Sequence, residues 1–141
     1  MMKVFLDTNI VLDTMLTYRE DTVYSSLILG FNRVFNLCIS VHSFPDVSYI
    51  TRKDLTTESR KRRFNYFFDH CTVLPLTSSD LSNALKSSCP DFEDALQISC
   101  AEEGLCDIIV TGNKKHFAAY TDIPVYTPKE FLDKLEAASR Q

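Results

Sequence analysis

The sequence predicts an α/β protein: a three-layer α/β/α sandwich around a four- or five-stranded, mostly parallel sheet, in one domain over residues 1–141. Two observations carry that expectation. Short apolar runs alternate with amphipathic stretches along the chain, which is the pattern of strands joined by crossover helices. Acidic residues stand where a predicted strand passes into a predicted helix, at the sheet edge where open α/β folds bind ligands.

Val4, Phe5 and Leu6 form the first apolar run and read as a strand. Ile10, Val11, Leu12, Met15 and Leu16 follow at roughly helical spacing. Residues 17–21 are polar and read as a loop. Val23, Leu27 and Phe31 recur at i, i+4 and i+8, which predicts a helix over 22–31 capped by Asp21 or Thr22. Residues 37–41 read as the second core strand. Ser43-Phe44-Pro45-Asp46 then opens a helix with proline in its first turn and Val47, Tyr49 and Ile50 as its apolar face. Residues 57–70 form a basic helix carrying Arg60-Lys61-Arg62-Arg63, with Phe64, Phe67 and Phe68 on the buried side.

Residues 72–76 are a strand, and 78–88 a helix with Ser78 or Ser79 as cap. The next helix spans 91–103, with Gly104 as its stop. Residues 107–111 and 124–126 are the last two strands. The terminal helix, 128–138, has Thr127 as cap and Pro128 at its first position.

Composition narrows the function classes. Apolar residues make up 45% and charged residues 24%, a globular balance that excludes a disordered or fibrous chain. No apolar run approaches the ~20 residues of a membrane span, and Met1-Met2-Lys3 leads straight into a strand without a signal-peptide pattern. The expectation is a cytoplasmic protein. Five cysteines, an odd number with no Cys-x-x-Cys pair, suggest neither a disulfide framework nor a zinc site and fit a reducing compartment. A net charge of −4 does not advertise nucleic-acid binding, although a local basic patch suffices for a transient contact. No glycine-rich phosphate loop is present. Asn9, two residues after Asp7, excludes a phosphatase of the haloacid dehalogenase type. His42, His70 and His116 are scattered singly, and no serine or cysteine triad emerges.

The acids are Asp7 after the first strand, Asp46 after the second, and Asp91 and Asp94 at the start of the sixth helical segment. Each has a structural explanation. Asp7 can cap the helix that follows it. Asp91 and Asp94 suit the positive end of a helix dipole. Ser43-x-x-Asp46 resembles a capping box. As a set they point elsewhere, because carboxylates gathered at one sheet edge repel one another unless a cation intervenes. Mg²⁺ or Mn²⁺ takes oxygen ligands of this kind.

Val4-Phe5-Leu6-Asp7-Thr8-Asn9 resembles the opening of a PIN domain, as in VapC-type toxins. Asp91-Phe92-Glu93-Asp94-Ala95-Leu96-Gln97 followed by the stretch from Asp107 to Phe117 is similar to the family's second half in order and spacing. The resemblance implies a metal-dependent endoribonuclease in which Asp7 and Asp94 ligate the metal and Thr8 or Asn9 supports the site. It places Asp46 where the family usually has glutamate, and Asn113 where it has a late acid, with Asp91 able to compensate and Glu93 a poorer candidate. Asp7, Asp46 and Asp94 are then the catalytic set. Lys114 and Lys115 are the candidate phosphate contacts, while the basic run 60–63 is either a backbone grip or a solvated face. The family also implies RNA as substrate, an antitoxin protein and a homodimer as partners. Asn113 leaves a second reading: a PIN-fold RNA- or protein-binding module that has lost catalysis.

Overall fold

In the computed structural model, which describes residues 1–140, the first apolar run is β1 (Lys3–Leu6) at the centre of a five-stranded sheet. The chain continues through α1 (Thr8–Met15), α2 (Thr22–Leu29), β2 (Asn36–Ser40), α3 (Ser43–Ile50), α4 (Thr57–His70) and β3 (Thr72–Leu74). It then forms α5 (Ser78–Lys86), α6 (Phe92–Glu103), β4 (Ile108–Val110), α7 (Lys114–Ala118), β5 (Val125–Tyr126) and α8 (Pro128–Ser139). Strand order is β3-β2-β1-β4-β5, and every pairing is parallel.

The two-residue period of a strand sends alternate side chains to opposite faces. Val4 and Leu6 of β1, Leu37 and Ile39 of β2 and Val110 of β4 enter one core, with Ile10, Met15, Ile28, Val47, Phe67 and Phe131 from the helices. Phe5, Cys38 and Ile109 enter the other, with Ile98, Cys100, Ala101 and Phe117. These two cores make the predicted three layers. All five cysteines are free thiols, and Cys38, Cys100 and Cys106 are buried as small apolar groups. No helix among the described residues is long and apolar enough to cross a membrane.

Several helical faces differ from the sequence expectation. Val23 and Leu27 are 66% and 55% exposed, and α2 instead buries Ser25 and Ile28. Of the α3 stripe only Val47 is buried; Tyr49 and Ile50 face outward. On α4, Phe67 is buried and Phe64 half-buried, while Phe68 is 69% exposed. The periodicity was compatible with several helix rotations, and packing against the sheet selects one. Arg60, expected on a solvated or phosphate-gripping face, is buried: Nε donates to Thr51 Oγ1 (3.0 Å) and Nη2 to the carbonyls of Thr51 (3.2 Å) and Leu55 (3.0 Å).

The caps also refine the reading. Thr77, not Ser78 or Ser79, caps α5 in a reciprocal box with Asp80, and Thr127 forms the same box with Glu130 ahead of Pro128. Ser43-x-x-Asp46 forms no capping box, because His42 occupies the cap position and Ser43 hydrogen-bonds Thr8 instead. The short helix α7 was not read from the sequence.

The strand order reverses at β1. The chain proceeds from β1 to β2 and β3 on one side, then crosses to place β4 and β5 on the other. Open α/β sheets hold ligands beyond the carboxyl ends of the strands at such a reversal. The Asp7 backbone N–H donates to the Val110 carbonyl (3.1 Å), tying the ends of β1 and β4 together at this point.

Candidate metal centre

Asp7 follows β1 directly and is 3% exposed. It is the N-cap of α1, and its Oδ1 accepts from the Thr8 backbone N–H (2.8 Å). Gln97 Nε2 donates to the same oxygen (3.2 Å) and to Thr8 Oγ1 (2.8 Å). Thr111 Oγ1 donates to Asp7 Oδ2 (2.9 Å), and Asn9 Nδ2 makes a longer contact with it (3.4 Å). Thr8 Oγ1 and Ser43 Oγ share a buried hydrogen bond (2.7 Å) that joins α1 to α3. Burial pushes the Asp7 carboxyl above its usual value, opposed by the hydrogen bonds from Thr111, Gln97, Thr8 and Asn9.

Asp94 stands at the third position of α6, with Asp91 as the cap accepting from its backbone N–H (3.0 Å). Burial, then the neighbouring charges of Asp91 and Asp7, push the Asp94 carboxyl up to about 6, with His116 opposing. Helical spacing places Gln97 one turn from Asp94 on the same face. Asp46 lies on the first turn of α3, on the facing wall. Asp7, Asp46, Asp94, Asn9, Gln97, His42 and Glu93 border one recess of about 90 Å³. Burial and the nearby Asp46 raise the Glu93 carboxyl, and His42 lowers it.

The structure thus brings Asp7, Asp46 and Asp94 together and puts Thr8 and Asn9 around Asp7. It places four other candidates, Asp91, Asn113, Lys114 and Lys115, elsewhere. Asp91 is exposed, engaged as a helix cap, and borders a separate pocket with Lys115 and His116. Asn113 is exposed; its backbone N–H donates to Thr111 Oγ1 (3.0 Å), and its side chain borders pockets outside the acidic recess. Lys114 is paired with Glu130 (2.9 Å), and Lys115 has no ion-pair partner among the described residues.

Four contributors went unread in the sequence. Gln97 was signalled by its i+3 spacing from Asp94, and Thr111 by its place at the end of β4 beside β1. His42 lies four residues before Asp46, a spacing that puts both on one helix face. Ser43 gave no separate signal.

The donor set fits a hard divalent cation. Three carboxylates from three elements face one recess, two of them raised in pKa by burial. The Gln97 Oε1 is buried without a hydrogen-bond partner at the same place. An orphaned buried carbonyl oxygen is costly unless something outside the chain satisfies it.

The PIN-domain family model matches residues 3–115. The chain belongs to the PIN-domain family. No curated protein matches it by sequence. Among solved structures, this PIN domain is similar to VapBC2 from Rickettsia felis bound to a promoter DNA fragment, with 17% identity, 89% of this chain and 98% of that one covered, and TM-score 0.69. It is similar to a toxin–antitoxin complex from Klebsiella pneumoniae, with 19% identity, 89% and 97% coverage and TM-score 0.63. It is also similar to VapC20 from Mycobacterium tuberculosis, a sarcin–ricin-loop-cleaving toxin, with 9% identity, 85% and 98% coverage and TM-score 0.67. At these identities the likeness establishes the fold, and the chemistry rests on the residues.

Proposed function

We propose that this PIN domain is a Mg²⁺- or Mn²⁺-dependent endoribonuclease that hydrolyses RNA phosphodiester bonds, and the toxin of a toxin–antitoxin pair. The observation that carries the reading is the meeting of Asp7, Asp46 and Asp94 in one recess at the strand-order reversal, beside the unpartnered Gln97 carbonyl oxygen.

Asp7 and Asp94 are the proposed ligands, with Asp46 reaching from the facing helix. Thr111, Gln97 and Thr8 hold the Asp7 carboxylate in one rotamer. Its contact with Asn9, at 3.4 Å, is the weakest and the one a ligand replaces at least cost. A bound divalent cation supplies Lewis acidity toward a phosphoryl oxygen and acidifies water near it. Lys115, exposed at the start of α7, is the proposed phosphate contact on the outer rim, and the Lys114–Glu130 pair opens only if RNA outcompetes it. RNA is the substrate class by likeness to the sarcin–ricin-loop-cleaving toxin.

The proposed seat of a protein partner, antitoxin or second copy, is the outer face of α2. Val23 and Leu27 of that helix are exposed, and its Ser26 and Leu29 line a cleft of about 330 Å³ with Met15, Arg62 and Arg63. One observation favours the non-catalytic module instead: Asn113 brings no charge and stands outside the recess.

Incubating purified protein with mixed RNA in Mn²⁺ or Mg²⁺, with and without EDTA, separates the two. The catalytic reading expects EDTA-sensitive cleavage that disappears in Asp7→Asn and Asp94→Asn. Cleavage that survives both substitutions defeats it, and an inactive wild type hands the fold to the binding module.

A further inference from the structure

His42 and Asp46 are four residues apart across the start of α3, and Glu93 faces them from the first turn of α6. One imidazole nitrogen and one oxygen from each carboxylate lie within 4.8 Å of one another. Ligands on one tetrahedral ion at ~2.1 Å stand about 3.4 Å apart, so the three need draw together only by roughly 1 Å to share a cation. None of the three side chains has a hydrogen-bond or ion-pair partner among the described residues. They border the same recess as the buried, unpartnered Gln97 carbonyl oxygen, which independently calls for a ligand there.

We propose that His42, Asp46 and Glu93 form a second cation position beside Asp7 and Asp94, one that selects a late first-row divalent ion such as Zn²⁺ or Co²⁺ over Mg²⁺. The selectivity follows from the donors. Mg²⁺ prefers an all-oxygen octahedron and keeps most of its water. An imidazole with two carboxylates suits ions that bind nitrogen strongly, and their affinity rises along the first-row series. The two helices supply the rigidity. His42 and Asp46 are held at helical spacing by α3, and Ser43 fastens α3 to Thr8 beside the acidic centre.

The inference rests on reading the recess as a cation site, and it differs from that reading in the residues and metals it names. Its test is binding, not turnover. Metal-free protein is titrated with Co²⁺ and followed by visible d–d absorption, and with Zn²⁺ and Mg²⁺ by calorimetry. The wild type is expected to bind Co²⁺ and Zn²⁺ at least ~10-fold more tightly than Mg²⁺. His42→Ala and Glu93→Gln should each weaken Co²⁺ and Zn²⁺ by ~10-fold or more while shifting Mg²⁺ by much less. His42→Gln, which keeps the side-chain bulk, serves if His42→Ala loses its fold by circular dichroism. Asp94→Asn should keep the Co²⁺ band. A wild type without preference for Co²⁺ over Mg²⁺, or a folded His42 variant that binds Co²⁺ as the wild type does, overturns the proposal. An intact Co²⁺ site in a protein that cleaves no RNA would sink the nuclease reading alone.

Discussion

The Thr111 hydroxyl at the end of β4 donates to Asp7 Oδ2 at the end of β1, 2.9 Å away and fully shielded from solvent. The same hydroxyl oxygen accepts from the Asn113 backbone N–H. Thr111 therefore couples the acid at the centre of the sheet to the turn that leads into α7, which carries Lys114 and Lys115. A residue with no charge of its own sets the rotamer of the buried carboxylate and the entry to α7 together.

Thr111→Val keeps the shape and removes the hydroxyl. It leaves Asp7 Oδ2 with only the long Asn9 contact and strips the Asn113 N–H of its acceptor. A hydrogen bond to a charged group contributes about 1.5–3 kcal/mol, and urea denaturation of the metal-free protein should register a loss of that order. A change below about 0.5 kcal/mol would mean that Thr111 does not hold the carboxylate.

Arg60 belongs in sequence to a run of four basic residues, but in space it closes the C-terminal end of α3. Its guanidinium bonds the Thr51 and Leu55 carbonyls and the Thr51 hydroxyl, adding to the Asp54 and Leu55 backbone N–H groups that already donate to the Thr51 carbonyl. Arg60→Ala is expected to cost about 2–4 kcal/mol, because it removes all three hydrogen bonds of a buried guanidinium together with its packing. Arg62→Ala, at an exposed site on the same helix, should stay within about ±0.5 kcal/mol in the same experiment. Equal losses in the two variants would contradict the division.

The same contrast explains what was legible in the sequence. The order of strands and helices was, because each apolar run and each cap residue acts locally. Asp7 and Asp94 were legible because a strand end and a helix start fix where a short side chain points. The rotation of α2 and α4 was not: Val23 and Phe68 satisfy helical periodicity as well as Ile28 and Phe67 do, and only contact with the sheet decides between them. Nor was the burial of Arg60, which depends on the end of α3 arriving from a separate segment. His42 looked isolated because Glu93, which it faces across the recess, lies on another helix.

α6 ends at Glu103 with Gly104 as its C-cap, as the sequence suggests, but the left-handed residue is the one after the glycine. Gly104 has φ −77°, whereas Leu105 carries the left-handed φ of 56°. Gly104 is required for another reason: a Cβ there would sit 2.7 Å from Leu74 Cδ1 and 3.1 Å from the Cys100 carbonyl oxygen. Left-handed backbone costs a non-glycine residue about 1–2 kcal/mol, partly offset by the greater unfolded-chain entropy of glycine. Leu105 is 78% exposed, so Leu105→Gly loses little burial and should stabilise by about 0.5–1 kcal/mol. Gly104→Ala should destabilise. Thermal melts of the pair test this, and a destabilised Leu105→Gly would show that its side chain packs more than its exposure implies.

Metal and proton compete for the same carboxylates. Asp94 titrates at about 6 in the folded protein against its ordinary 3.8, and Asp7 and Glu93 are shifted the same way. Between those values the folded chain retains a proton that the unfolded chain has released. The stability of the metal-free protein contributed by Asp94 is therefore complete below about pH 4 and declines as pH rises through about 6. Mn²⁺ needs the ionised form, so its gain in Tm should be absent near pH 5 and grow through pH 6 toward neutrality. Asp94→Asn removes this titration and should flatten both trends. Melting curves across that range, with and without Mn²⁺, decide the matter: a Mn²⁺ gain independent of pH, or an Asp94→Asn protein with the wild-type pH slope, would remove Asp94 from the cation site.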